Sequence, residues 1–182
     1  MKRLLLPLAL IGFFLCLFIA KSNGEPVMKL TSSAFTDGGK IPVSCVMPGA
    51  GGQNVSLPLS WTDAPPGTKS FVLSLVDHHQ VARNWVHWLV INIPADVHGL
   101  AAGASGKKMP AGARELQNSF GAPGYGGPQP PKGTGDHPYV ATIYALNVPR
   151  LDLGSQTSLT AFQKALEGKV LASGSITGHF GR

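Results

Sequence analysis

The chain has 182 residues, 43% of them hydrophobic and 13% charged, with a formal net charge of +6. That composition excludes a disordered chain, which would be rich in charge and poor in apolar residues. The 23 Gly and 15 Pro follow no three-residue period, which excludes collagen and points to a loop-rich β architecture, and two Cys cannot build a disulfide framework, so the fold must stand on its core.

At the N-terminus, Met1, Lys2 and Arg3 give a basic start, residues 4–20 form an apolar run without a charge, and Lys21-Ser22-Asn23-Gly24 is a small-residue exit. This is the order of a secretory signal, with cleavage expected after Gly24. A retained anchor is the competing reading, since the run is nearly long enough to span a bilayer. Pro7 and the small exit residues favour removal, and the mature chain is not expected to span a membrane. Cys16 follows Phe13-Phe14-Leu15, which lacks the small residues that a lipoprotein peptidase needs, so it leaves with the segment. From Glu25 onward the chain carries 12 basic and 9 acidic residues, a net +3 that is too mild to argue for nucleic acid. Cys45 is then alone and reads as a buried small hydrophobe.

The rest reads as one domain, residues 25–182. Residues 29–35 read as a first strand, and residues 57–61 as a short extended piece that Pro58 makes an edge or a strand start. A turn follows at 63–68, a strong strand at 70–76 and a polar loop at 77–84. Residues 85–93 are apolar on both faces, which predicts a central strand. Residues 103–138 hold 15 Gly or Pro in 36 positions and predict a long ordered loop, of a kind that is usually functional. A strand is expected at 139–146 and another at 169–180. Between them, 158–168 reads as a helix: Ser158 caps it, Leu159, Phe162 and Leu166 form one stripe, and Gly168 ends it. Strands joined by loops, without regular helices between them, predict a mainly β, antiparallel class.

Strand alternation isolates four polar residues on apolar faces. Asp77 continues the face of Phe71, Leu73 and Leu75. His87 lies among Trp85, Leu89 and Ile91. His137 and Tyr139 share a face with Ala141 and Ile143. Burying such groups costs several kcal/mol unless they are paired, so they are expected to converge or to line one cavity. Each also has a plainer reading, as a hydrogen-bonded core residue or, for Asp77, as the cap of a turn.

Several blocks carry a resemblance that extends from about Lys29 to Arg182. Residues 54–61 resemble an "SPPLSW" segment, and residues 71–77 a strand entering a "DPDAP" motif. Residues 85–94 resemble "WxHWxxxNIP". Residues 118–131 resemble the "N(x)₂G…GYxGPxPP" loop, residues 135–139 "GxHRY", and residues 166–172 a bacterial C-terminal segment. The chain thus resembles the phosphatidylethanolamine-binding proteins, in their bacterial Raf-kinase-inhibitor-like branch. The resemblance implies an antiparallel β-sandwich with Greek-key connections, a C-terminal helix and a few short helical turns. It also implies a small-anion pocket made by an Asp, two His and a Tyr, which match Asp77, His87, His137 and Tyr139. Three departures stand out. Asp77-His78-His79-Gln80-Val81 replaces "DPDAP", Pro138 replaces an Arg, and Phe180 stands where relatives have Tyr.

The expected function is non-catalytic binding of a small anion such as phosphate or a phosphoethanolamine head group, without a cofactor. His87, His137 and Tyr139 would act as donors, Asp77 would orient an imidazole or accept from an ammonium, and the loop at Gly126 and Pro128 would bring backbone N–H groups to the ligand. Two other readings stay open. One is an inhibitor or interaction module for a periplasmic or host kinase or protease. The other is a metal-dependent hydrolase, although the chain has no HExxH or similar motif, and a serine hydrolase would lack its G-x-S-x-G elbow.

Overall fold

A computed structural model describes residues 27–182; the expected export segment, residues 1–24, lies outside them. In chain order the elements are β1 (Lys29–Thr31), β2 (Gly39–Lys40), β3 (Leu59–Thr62), β4 (Ser70–Asp77), β5 (Trp85–Pro94), β6 (Gly99–Leu100), β7 (Arg114–Glu115), β8 (His137–Leu146), α1 (Leu159–Leu166) and β9 (Val170–Phe180), with short 3-10 turns at Val43–Cys45 and Pro48–Ala50. They form two sheets, a small one ordered β1-β3-β6 and a six-stranded one ordered β2-β9-β8-β4-β5-β7. All pairings are antiparallel except β2 with β9. β4 lies between β5 and β8, so the long connection from β5 to β8 crosses over it. That crossing is the Greek-key feature of this sandwich.

The continuous apolar runs of β4 and β5 are explained by burial on both faces. One face packs on the small sheet: Leu30, Leu59 and Trp61 meet Phe71, Leu73, Trp88, Val90 and Ile143. The other face packs on α1 and its approach, where Val72, Leu89 and Ile91 meet Leu151, Phe162 and Leu166. The helix starts as its sequence requires. The Ser158 side chain accepts from Ala161 N, and Gly168 leaves the helix in the left-handed region at φ 68°.

Three expectations need correction. The first strand stops at Thr31, because Ser32 turns back on itself: its Oγ donates to Pro58 O and accepts from Ala34 N. β5 is not central; its outer neighbour β7 covers only Val90 and Ile91, and the middle of the sheet is β8 and β4. The face Trp85, His87, Leu89, Ile91 is also broken. The β4–β5 register shifts between Leu75/Trp88 and Val76/Val86, which leaves His87 as an extra residue in a bulge. Beyond the bulge parity reverses, and Leu89 and Ile91 face the helix side. Trp88 joins Tyr139 in the core between the sheets, on the side where His87 also meets Tyr139. A second shift between Phe71 and Leu73 accompanies Asn92, whose φ is 60°. Its amide exchanges hydrogen bonds with the backbone of Leu151.

Candidate functional site

The ends of three neighbouring strands bring the four polar residues together. Asp77 ends β4 and lies opposite Tyr139 in the β4–β8 ladder, His137 opens β8, and His87 occupies the bulge of β5. None of the four is more than 3% exposed. With Val81, Ala82, Trp85, Phe120, Gln129, Pro130 and Pro131 they line a cavity of about 230 Å³.

Inside this cluster Asp77 and His137 are committed to each other and to the backbone. The His137 Nδ1–H donates to Asp77 Oδ2 at 2.6 Å, and His79 N donates to Asp77 Oδ1 at 2.8 Å. The second bond makes Asp77 the cap of the turn that begins the 78–84 loop, so its plainer reading holds beside its place in the cavity. His137 Nε2 lies 2.8 Å from Thr134 Oγ1, and that hydroxyl also reaches Pro131 O at 2.8 Å. Having one hydrogen, it gives it to the carbonyl and accepts from a doubly protonated His137, or gives it to a neutral Nε2. In both cases His137 has no free nitrogen.

His87 and Tyr139 differ. The His87 Nδ1–H donates to Gly126 O at 2.5 Å, and its Nε2 has no partner among the described residues. Burial pulls the imidazole down to about 4, against the opposing pull of the Gly126 carbonyl and the Asp77 charge. At neutral pH Nε2 is therefore an acceptor, not the donor that the sequence reading assigned to it. The Tyr139 hydroxyl is buried beside the Asp77 carboxylate and, among the described residues, makes no hydrogen bond of standard geometry. Burial, and then the Asp77 carboxylate, push it far above the usual phenol range. It stays protonated and able to donate. Among the described residues the other buried side-chain polar atom without a partner, Trp61 Nε1, lies in the core between the sheets against Phe71.

The Gly-rich loop holds the site from behind. Gly126 and Pro128 do not line the cavity. The N–H groups of residues 124–127 are all engaged inside the protein, with Leu116 O, Ser105 Oγ, His87 O and Asn54 Oδ1. They are therefore not free to meet a ligand, and Gly126 acts instead through its carbonyl, which fixes the His87 tautomer. Glycine is required here by close approach: a Cβ on Gly126 would stand 2.5 Å from the Phe120 ring, and one on Gly127 would stand 2.2 Å from Cys45 O. Cys45 itself is buried, and burial pushes its thiol up, consistent with an inert core residue.

Each departure from the family motifs has a structural place. His79 stacks on His137 with ring centroids 3.9 Å apart. Pro138 O accepts from His78 N, and Phe180 pairs with His137 across the β8–β9 ladder. A different cation, Arg182, stands near the cavity rim. Arg182 donates from Nε to Pro130 O and from its guanidinium to Gly49 O, and its charge acts on Tyr139. Thr134, Phe120 and the proline rim were also missed, because loop residues follow no alternation. Among the described residues no three His, Cys, Asp or Glu side chains are arranged to hold a metal ion.

Comparison with known proteins places these features in context. The family model described as phosphatidylethanolamine-binding protein matches residues 31–181. The protein YbhB of Escherichia coli is 41% identical over 160 residues, covering 84% of this chain and 99% of its own length. LppC of Mycobacterium tuberculosis, which bears a lipoprotein name, is 36% identical over 158 residues, covering 85% of this chain and 74% of its own length. The crystal structure of Escherichia coli YbcL, described as a new member of the mammalian PEBP family, matches with a TM-score of 0.80 and 34% identity over 85% of this chain and 98% of that one.

Proposed function

This chain belongs to the phosphatidylethanolamine-binding protein family, and from that premise we propose that it is an exported, non-catalytic protein whose cavity binds a phosphate-bearing head group. One observation carries the reading. In a cluster where Asp77 and His137 are fully engaged, His87 Nε2 and the Tyr139 hydroxyl lack partners. A buried hydroxyl left unsatisfied, as at Tyr139, costs stability, and a ligand that satisfies it recovers that loss, while His87 lines the same cavity with Nε2 unengaged.

The two atoms also describe the ligand. Tyr139 offers a hydrogen to a phosphate oxygen. His87 asks for one, which a monoprotonated phosphate ester or an ammonium can give. If a fully ionised phosphate binds, His87 must take up a proton as it does so, and affinity rises as pH falls toward its value of about 4. Arg182 adds a positive charge beside Tyr139. Binding suits this arrangement better than catalysis, because Asp77 and His137 are hydrogen-bonded to each other, to His79 N and to Thr134 and orient no nucleophile. Export is supported by the basic start and apolar run of residues 1–24 and by the lipoprotein name of the relative LppC.

Calorimetric titration with phosphoethanolamine tests the reading. Weak binding is expected, and His87→Ala or Tyr139→Phe should each weaken it by about 1–2 kcal/mol, the scale of a lost hydrogen bond. Equal affinity in the wild type and both variants refutes it.

A further inference from the structure

A second cavity, of about 480 Å³, adjoins the first. One partition separates them. Residues 84–86 and 118–120 run side by side, joined by Ser119 N to Val86 O and by Val86 N to Ser119 Oγ, each at 2.9 Å. From this partition Trp85 and Phe120 line the head-group cavity, whereas Asn84, Val86, Asn118 and Ser119 line the second. The far wall is the start of α1 and its approach, residues 156–159. Gln117 N donates to Ser155 O at 2.8 Å and ties the two walls together.

No residue lining this cavity is charged or titratable, yet hydrogen-bonding capacity of both kinds is left over. Asn84 Oδ1 accepts from the His78 Nδ1–H at 2.8 Å, which leaves the Asn84 amide hydrogens free. Ser119 Oγ and Ser158 Oγ accept from backbone N–H groups and keep their own hydrogens to give. The carboxamides of Gln117 and Gln156 make no side-chain hydrogen bond among the described residues, so each offers donors and an acceptor. Val86 and Leu159 add an apolar patch. An ion of either sign finds no counter-charge here. An extended peptide finds no open strand edge, because Val86 N and O are both taken by Ser119. A sugar ring suits both parts of the lining: its hydroxyls each donate and accept, and its C–H face packs on apolar side chains. We propose that this second cavity binds a neutral saccharide, independently of the head-group site.

Gln117 and Gln156 do not line the head-group cavity, and their side chains hold no other part of the fold, so Gln117→Ala and Gln156→Ala are clean probes. Backbone amide NMR shifts are followed while the protein is titrated separately with maltose, N,N′-diacetylchitobiose, inorganic phosphate and the neutral peptide Ala-Gln-Ala. The expected result is a saturable shift of the amides of residues 117–119 and 156–159 with at least one of the two sugars. Each variant weakens that binding by about three- to ten-fold, the order of one lost neutral hydrogen bond. Phosphoethanolamine affinity is unchanged in both variants. No saturable shift with either sugar, or equal sugar affinity in wild type and variants, overturns the proposal. Shifts of these amides with phosphate alone would make the start of α1 an anion site, and shifts with the peptide alone would make the cavity a protein contact; both outcomes overturn it as well. Phosphoethanolamine reads the other cavity, so failure here leaves the head-group reading standing.

Discussion

Two acidic centres flank β5 and are built in opposite ways. Glu115, on β7, is half-buried, and both of its oxygens are engaged. Oε1 accepts from Trp88 Nε1 at 2.7 Å and from Ser105 Oγ at 2.5 Å, and Oε2 accepts from Gly106 N at 2.8 Å. Ser105 Oγ in turn accepts from Tyr125 N, so this carboxylate ties the long loop to the strand behind the cavity. Around Asp77 the cluster is more deeply buried, yet the Tyr139 hydroxyl lacks a standard hydrogen bond and His87 donates from Nδ1 alone. The first arrangement is a fastening. The second keeps polar valences open inside a hollow, which marks a place for something else.

The contrast can be broken by experiment. If Glu115 is a fastening, Glu115→Ala should cost about 3 kcal/mol in urea denaturation, since it strands the Trp88 indole N–H and two further donors. Phosphoethanolamine affinity of the folded protein should not move. A variant as stable as the wild type would remove this side of the comparison. The next effect concerns pH. In the unfolded chain an imidazole titrates near its ordinary value of about 6.5, whereas His87 is held at about 4. Between those values the unfolded chain binds a proton that the folded one excludes. Stability therefore falls as pH drops through that window, by on the order of 3 kcal/mol, and the loss levels off below it. The difference between wild type and His87→Ala, measured across pH 4 to 7, isolates this contribution and should flatten if His87 is not the group responsible. The smallest effect is the sharpest. Tyr139→Phe removes a buried hydroxyl that has no partner, so it should leave stability unchanged or raise it by up to about 1 kcal/mol. On the proposed function the same change should weaken phosphoethanolamine binding in calorimetric titration. A variant that loses stability in parallel with binding would show that the hydroxyl is hydrogen-bonded within the protein.

The physics of alternation explains how much of this was legible in the sequence. β4 and β8 run in unbroken register with each other, so Asp77, His137 and Tyr139 fall where period two puts them. His87 reached the correct side only because a bulge intervenes, and the face assigned to it with Leu89 and Ile91 does not exist. A bulge leaves no mark that a period can detect. Likewise, the Gly-rich stretch announced an ordered loop, but not that its N–H groups were already engaged or that Gly126 would act through its carbonyl. Those outcomes depend on Asn54, Asn118 and Ser105, residues distant in the chain or ordinary in type. Arg182, which donates to Pro130 O at the cavity rim from 52 residues away, is likewise a neighbour that no period reveals.

The borders of the six-stranded sheet carry one more consequence. Both outermost strands, β2 and β7, are two residues long. Beyond them, single bonds close the neighbouring long strands. Met28 N, Gly38 N and Ile41 N reach β9, while Leu116 N, Ser119 N and Gly126 N reach β5. A foreign strand approaching either flank meets a stitched hem with no open row of amides to zip onto. The long loop that frames the cavity thus also shields the β5 flank from pairing with another copy, as residues 28–41 shield the β9 flank.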